Sequence, residues 1–187
     1  MLDSLRLNLG CGTKRLRGYV NVDRFGEPDL LFDLETFPYP WKDNSVSEIE
    51  LHHILEHLGQ QTEIYLKIIQ ELYRICQPQA RIHITVPHHR SDRFYHDPTH
   101  VRPITPVGLS MFSKRLNQEW QAKGKAFTLL ALHLDVDFEL SDVNYSPSEV
   151  WNERYPDKKQ DKELLLKESE IYSNLIKDVE MTLTVIK

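Results

Sequence analysis

The most constraining feature of the sequence is an alternating stretch that runs directly into a glycine turn near the N-terminus. Residues 7–12 read Leu-Asn-Leu-Gly-Cys-Gly, so apolar and polar residues alternate up to the first glycine. Such alternation predicts a strand, and glycine after it permits a positive φ and a close approach of a ligand to the backbone. Taken alone, this Gly-x-Gly fits a ligand-binding turn and an ordinary tight turn equally well.

Acidic residues follow two further predicted strands. Asp23 comes after the alternating residues 19–22, and Asp33 follows the short apolar run 30–32. A carboxylate at the first position can accept hydrogen bonds from both hydroxyls of a ribose, and one at the second from an adenine amine. Either aspartate alone is explained equally well as a helix N-cap or a solvated turn residue. The three signals in this order nevertheless indicate a ligand-binding sheet edge.

The rest of the chain alternates between strand and helix patterns. Apolar residues at 46–51 predict a fourth strand, helical spacing predicts a helix over 60–76, and alternation predicts a strand over 81–86. Strand, helix and strand in this order are typical of a parallel sheet. Four later elements are predicted: a helix from Thr105-Pro106 to about Leu116, a strand over 127–140, a helix over 161–178 and a closing strand over 181–186.

Composition predicts one folded domain over residues 1–187. The chain is 40% hydrophobic and 27% charged, and it is long enough to bury a core. No apolar run approaches the ~20 residues that a membrane span needs. Cys11 and Cys76 do not indicate a disulfide framework, so a reducing, cytoplasmic location is expected.

Charge is distributed unevenly along the chain. The net charge is −5, yet residues 81–125 contain eight lysines and arginines against three acidic residues. A basic footprint over the whole protein, as expected for nucleic-acid binding, is absent. The local excess of positive charge is suited to an anionic group.

With these features the sequence resembles the class I S-adenosylmethionine-dependent methyltransferases, in the group called methyltransferase type 11. The likeness extends from Leu7 to Pro87, and it rests on the glycine turn, on Asp23 and Asp33 after their strands, and on the segment His53-Ile54-Leu55-Glu56-His57-Leu58. It implies a three-layer, Rossmann-like α/β sandwich with a mostly parallel seven-stranded sheet and an antiparallel last strand. It also implies methyl transfer from S-adenosylmethionine.

The resemblance assigns cofactor-binding residues by position. Gly10 and Gly12, with Cys11 between them, would face the methionine end of the cofactor, Asp23 the ribose, and Asp33 with the Leu34 backbone the adenine. His52 would lie against the methionine portion through its backbone. Asn8 stands where the family usually has an acidic residue, and an amide carries no charge for the cofactor's ammonium group.

Two departures from the family concern the segments around the first strand. Only nine residues separate Leu9 from Tyr19, which is too short for a normal helical crossover, so the first helix is expected to be vestigial. Few residues precede the first strand, so the family's N-terminal lid helices are expected to be missing and the cofactor site to be open.

A histidine-rich loop follows the predicted strand 81–86. Nitrogen and carboxylate groups there can bind a metal, but their spacing matches no established metal signature, so no metal is assigned. The loop can also supply a general base, contact the substrate, or serve only as structure. His96 and His100 are the candidate bases, because the turn at Asp97 could direct both imidazoles to the cleft, whereas His57 is assigned only a capping or packing role. The candidate substrate-binding residues are His88, His89, Arg90, Arg93 and Arg102.

The acceptor is expected to be a small molecule or a glycan, polar or anionic, and a homo-oligomer is compatible with the sequence. Two alternatives stay open. One is a non-catalytic binding or scaffold protein of the same fold. The other, less favoured, is an NAD-dependent oxidoreductase, in which Arg15 would replace the third glycine and Asp23 would come thirteen residues after Gly10 rather than about 20.

Overall fold

The computed structural model describes residues 4–187, which form a seven-stranded sheet. The strand order across the sheet is β3-β2-β1-β4-β5-β7-β6. In chain order the strands are β1 (Leu5–Leu9), β2 (Val20–Asp23), β3 (Leu30–Leu31), β4 (Val46–His52), β5 (Cys76–Pro87), β6 (Phe138–Pro147) and β7 (Ile176–Val185).

Strand direction follows the expected pattern. Strands β1 to β5 are mutually parallel where they pair, whereas β7 is antiparallel to both of its neighbours, β5 and β6. The predicted Rossmann-like α/β fold, mostly parallel with an antiparallel last strand, is therefore confirmed. Asn8 on β1 hydrogen-bonds Asn21 on β2 and the carbonyl of Lys14, which fastens the short connection between them. The expectation of a vestigial first helix is confirmed, since residues 10–19 form turns without a helix.

Residues 4–187 contain seven α-helices in addition to the sheet, and the longest helix is also the most clearly predicted. Helix α1 (Thr62–Ile75) buries Ile68, Ile69, Leu72 and Ile75 in the main hydrophobic core. The others are α2 (Asp92–His96), α3 (Pro106–Ser110), α4 (Lys114–Ala122), α5 (Leu130–Leu134), α6 (Glu149–Arg154) and α7 (Lys162–Ser169), with 3₁₀ turns at Leu55–His57 and Pro156–Lys158. None of the helices within 4–187 has the length and apolar content required to cross a membrane.

The two faces of the sheet differ in polarity. On β4 and β5 the buried side chains are apolar and alternate with polar ones, and the same alternation continues on β7. Parallel strands buried on both faces normally have continuous apolar sequences. The apolar face packs in the main core. The other face has polar side chains across the central strands, two of them buried (Asn8 and Thr182), together with Glu48, Glu50, His52, Arg81, His83, Thr85 and Glu180.

The predicted helix over residues 105–116 is wrong in its length. Thr105 is its N-cap as predicted, and its hydroxyl accepts the Gly108 N–H at 3.0 Å. The helix stops at Ser110, however, and Ser113 caps a second helix, α4. Leu109 in α3 and Phe112 in the break between the two helices are both buried, so the apolar spacing resembles that of one continuous helix.

Two later predictions are also wrong in part. The predicted strand over 127–140 contains helix α5, whose Ala131 N–H is bonded to the Asn117 side chain, and strand β6 begins only at Phe138. The predicted helix over 161–178 ends at Ser169 as α7, and β7 begins at Ile176. Asn174 has φ +64°, which breaks the helical pattern between them.

Candidate functional site

A large cleft lies at the carboxyl ends of β1, β2 and β3. It has a volume of about 810 Å³ and brings together five of the predicted cofactor-binding residues, Gly10, Gly12, Asp23, Asp33 and Leu34. Phe25, Phe32, Ile54 and Leu58 supply apolar surface to the same cleft. Its position agrees with the general location of ligands in open α/β sheets, outside the carboxyl ends of the strands.

The glycine turn is held against the neighbouring strand. The backbone N–H groups of Gly10 and Cys11 both donate to the Val22 carbonyl, at 2.8 and 3.0 Å. Gly10 has φ +70°, and a Cβ there would lie 2.3 Å from Cγ1 of Ile54. Gly12 has φ +50° but open space where a side chain would be. Both positions therefore require glycine conformationally, and Gly10 requires it sterically as well.

Asp23 and Asp33 each organise the loop that follows them. One Asp23 oxygen accepts the Gly12 N–H at 2.8 Å, and the other accepts the Phe25 N–H at 2.9 Å. Asp33 accepts the Glu35 N–H at 2.9 Å. Each carboxylate oxygen has a second lone pair, so both groups retain acceptor capacity on the cleft side while their loops are already ordered.

Asn8, Cys11 and His52 line a different groove, of about 670 Å³, on the polar side of the sheet. The Asn8 amide is buried and hydrogen-bonded within the β1–β2 connection. The His52 ring lies 2.9 Å from a Glu50 oxygen and 3.2 Å from the Thr85 hydroxyl. The neighbouring His53, which the sequence analysis did not assign to the site, lines both this groove and the large cleft, and its φ is +51°.

The histidine-rich loop forms a smaller cavity of about 470 Å³ against the 3₁₀ turn Leu55–His57. The N–H groups of Val101 and Arg102 donate to the Glu56 carbonyl and attach the loop to this turn. His53 and His57 line both this cavity and the large cleft, so the two are adjacent. The structure therefore places His96 and His100 of the loop beside the candidate cofactor site. The lining residues are His53, Glu56, His57, Pro87, Arg93, His96, Asp97 and His100.

The remaining predicted substrate residues lie outside this cavity. Arg90 donates to the carbonyls of Ser169, Glu170 and Ile171 and so closes the end of α7. Arg102 donates to the Gly59 carbonyl and stacks over the Tyr65 ring at 4.5 Å. His88 is buried, and the exposed ring of His89 packs against it at 4.3 Å.

His88 is a buried neutral histidine. Burial, reinforced by the neighbouring His89 and Arg90, lowers the pKa of His88 to about 4. Its Nδ1 accepts the Arg90 N–H at 3.3 Å, which requires an unprotonated nitrogen. The unfolded chain, with a pKa near 6.5, takes up this proton first as the pH decreases, so folding stability is lost between about pH 6.5 and pH 4.

We expect His88→Asn to reduce this acid sensitivity, because asparagine retains an acceptor near the Nδ1 position and does not titrate. Between pH 7 and pH 5 the wild-type chain should lose about 2 kcal/mol more unfolding free energy than the variant. Urea unfolding of both proteins at the two pH values measures the difference. Equal losses in both would contradict the assignment of a buried neutral imidazole.

No protein-family model matches the sequence, and comparison with curated proteins gives no sequence match, so the findings come from solved structures. A SAM-dependent methyltransferase from Archaeoglobus fulgidus aligns over 97% of this chain and 86% of its own, at TM-score 0.62 and 17% identity. A SAM-dependent methyltransferase from Methanosarcina mazei aligns over 100% and 94%, at TM-score 0.55 and 12% identity.

The same comparison includes the [4+2]-cyclase SpnF, which aligns over 98% of this chain and 74% of its own, at TM-score 0.53 and 14% identity. The chain therefore has the fold of the class I S-adenosylmethionine-dependent methyltransferases. Its solved neighbours act in different reactions, and a shared fold does not by itself define the reaction.

Proposed function

We propose that the chain binds S-adenosylmethionine in the large cleft and transfers its methyl group to an acceptor in the adjoining histidine-lined cavity. The observation that carries this proposal is the convergence of the glycine turn, Asp23 and Asp33 on one cleft that shares His53 and His57 with the second cavity. A ligand in the large cleft would therefore be next to a ligand in the histidine-lined cavity.

The cleft is suited to a nucleoside ligand. Its volume of about 810 Å³ is within the range of roughly 300–1,000 Å³ that is common for small-molecule sites. Asp23 would hold the ribose hydroxyls, Asp33 with the Leu34 backbone the adenine, and Phe32 and Leu58 its apolar faces. Gly10 and Gly12 leave room at the opposite end of the cleft for the methionine portion.

Positioning is the main task of the protein in such a reaction. The cofactor supplies an already activated methyl group on its sulfonium. The residues of the two cavities then need to orient the acceptor and exclude water. Arg93 on α2 is 58% exposed at its side chain and lines the acceptor cavity, which supports a polar or anionic small molecule or glycan as the acceptor.

A general base is required only for an acceptor that carries a proton when it attacks. His96 is exposed and lines the acceptor cavity, so we retain it as the candidate base. His100 lines the same cavity, but its ring is largely buried and its Nδ1 is bonded to the Phe94 carbonyl at 2.7 Å. Its Nε2 lone pair is available for a proton or for a metal ion.

We expect S-adenosylmethionine or S-adenosylhomocysteine to stabilise the chain by about 2.7 kcal/mol at 100-fold saturation, since a ligand of the native state alone shifts the folding equilibrium.

Asp23→Ala should weaken cofactor binding by about 1.5–3 kcal/mol, through the loss of hydrogen bonds to a charged acceptor. Thermal unfolding and calorimetry measure both effects. Asp142→Ala, which removes an exposed carboxylate from another part of the sheet, is the matched control.

NAD serves as the second control for the same experiment. Stabilisation by NAD and not by either methionine-derived ligand would replace the methyltransferase proposal with the oxidoreductase alternative. Binding of none of these ligands would favour a scaffold protein of the same fold. Wild-type affinity in Asp23→Ala would place the ribose elsewhere.

A further inference from the structure

Glu56 is a buried carboxylate without a hydrogen-bond partner. Its side chain is 1% exposed, and neither carboxylate oxygen is hydrogen-bonded to any residue between 4 and 187. The nearest basic atoms are Nδ1 of His53 at 3.4 Å and Nε2 of His100 at 4.0 Å, both measured from Oε1. An ionised carboxylate is costly to bury unless it is paired or coordinates a metal. A positive charge close to Glu56 would therefore offset the cost of burying this carboxylate.

His100 presents a free lone pair towards Glu56. Its Nδ1 lies 2.7 Å from the Phe94 carbonyl, and because a carbonyl only accepts, Nδ1 carries the proton. In the neutral ring the lone pair is then on Nε2, the nitrogen on the Glu56 side. A histidine that binds a metal through one nitrogen usually donates its other N–H to a carbonyl or carboxylate in this way.

His57 also has its Nδ1 proton bound to an acceptor, in this case the Thr99 hydroxyl oxygen. The Thr99 hydroxyl donates to Asp97 at 2.6 Å, so its oxygen is left to accept from Nδ1 of His57 at 2.8 Å. The neutral His57 ring therefore also has its lone pair on Nε2. The His57 and His100 rings are adjacent, with centroids 4.5 Å apart.

We propose that Glu56, His57 and His100 bind a divalent transition-metal ion of the Zn²⁺ type. One ligand atom from each of the three residues lies within 4.8 Å of the other two. With bond lengths of about 2.0–2.2 Å, these atoms need to move inward by less than about 1 Å each to surround an ion. Two imidazoles and one carboxylate are a donor set that suits zinc and leaves a fourth position open.

A second cluster of metal-binding residue types provides the internal comparison. Glu48, Glu50 and His83, on the polar face of the sheet, also have ligand atoms within 4.8 Å of one another. Glu50 lies 2.9 Å from the His52 ring, and the Glu48 and Glu50 side chains are 29% and 15% exposed, so water solvates them in part, whereas the Glu56 side chain is 1% exposed. This cluster lacks an unpartnered buried carboxylate, so we assign the ion to Glu56 and use His83 as a control.

The proposed ion would be located where the acceptor is expected. Glu56, His57 and His100 line the acceptor cavity, and His57 also lines the cofactor cleft. A role for the ion in binding an acceptor oxygen rests on the proposed methyl transfer, whereas metal binding itself does not. An imidazole nitrogen that is bound to a metal cannot accept a proton, so this assignment removes His100 from the candidate bases and leaves His96.

The test is calorimetric titration of the EDTA-treated full chain with Zn²⁺, repeated with Co²⁺ and its visible absorption as a report of the ligand set. We expect one ion per chain and an increase in thermal stability on binding. Glu56→Gln should lower the metal affinity at least ~100-fold. Loss of a residue that only orients a ligand costs up to about 100-fold, and Glu56 is proposed to bind the ion directly. The metal-free variant should be as stable as the wild-type chain or more stable, because a buried charge is removed.

Two further variants separate a ligand role from a packing role. Thr99→Val, at an exposed turn, should lower metal affinity about 10–100-fold, because it removes the group that orients His57. His83→Gln should leave affinity unchanged. The proposal would be overturned by the absence of binding, by wild-type affinity in Glu56→Gln, or by loss of binding in His83→Gln. Cofactor binding measured in EDTA is independent of these results, so the two proposals can fail separately.

Discussion

Gly10→Ala is expected to destabilise the fold by about 2–5 kcal/mol, because the new Cβ would combine left-handed backbone strain with overpacking against Ile54. The backbone at Gly10 has φ +70°, and the Cβ would lie 2.3 Å from Cγ1 of Ile54. Gly12→Ala is the matched control, since φ is +50° there but no atom lies within 4 Å of the added Cβ. It should cost only about 1–2 kcal/mol.

Urea unfolding of the two variants separates conformational strain from steric conflict. Equal losses at Gly10 and Gly12 would show that Ile54 moves aside and that only the backbone matters. The larger Gly10→Val should also abolish S-adenosylmethionine binding, because its side chain would disturb the turn that closes one end of the cleft. Retained cofactor affinity in Gly10→Val would place the methionine portion away from this turn.

Arg74→Met is expected to destabilise the chain by about 3–5 kcal/mol, since it leaves a buried carboxylate without its charged partner. Arg74 donates to both oxygens of Glu71, at 3.0 and 2.7 Å, and to the carbonyls of Tyr39 and Trp41, each at 3.0 Å. Burial disfavours the ionised form of Glu71, but the hydrogen bonds from Arg74 and the Tyr39 N–H outweigh it and lower the pKa of Glu71.

The same network reaches the candidate cofactor cleft through Leu34. Glu71 accepts the Tyr39 N–H at 2.6 Å, and the Tyr39 hydroxyl donates to the Leu34 carbonyl at 2.9 Å. Arg74→Met should therefore also weaken S-adenosylmethionine binding. The double variant Glu71→Leu, Arg74→Met should recover part of the lost unfolding free energy, because no charge remains buried. A double variant less stable than Arg74→Met would show that Glu71 has other essential partners.

The sequence predicted the parallel part of the sheet well because its determinants are local. The alternation before Gly10 defines β1, and helix α1 has an apolar stripe at regular helical spacing. Thr105 followed by Pro106 marked a helix start that the structure confirms. These signals depend on neighbouring residues alone, so one sequence was enough to read them.

The errors occurred where distant residues determine the local structure. Arg90 binds the carbonyls of Ser169, Glu170 and Ile171, at the end of α7 and just after it, from about eighty positions away, and no local pattern shows that this helix ends at Ser169. Asn117 likewise binds the Ala131 N–H and supports α5 within a segment that alternates like a strand. In both cases tertiary hydrogen bonds decided the outcome.

The sequence predicted many of the residues in the candidate site but not which of them lie next to each other. The sequence identified the cleft carboxylates and the loop histidines, yet it gave no indication that Glu56 is buried without a partner beside His57 and His100. Adjacent glutamate and histidine in the segment 53–58 were the only available signal. The sequence analysis assigned His57 only a capping or packing role, and its contact with Thr99, 42 positions away, has no local sequence signal.

Because one face of the sheet is packed and the other is polar, alternate positions of each central strand are under different constraints. On β4 and β5, Ile49, Leu51, Ile82 and Ile84 are constrained by close packing, while the residues between them are not. Sequence change is therefore restricted at every second position and comparatively free at the others. A lineage or a designer could exchange the charged side chains of the polar face for a new surface while the core that supports the cleft remains the same.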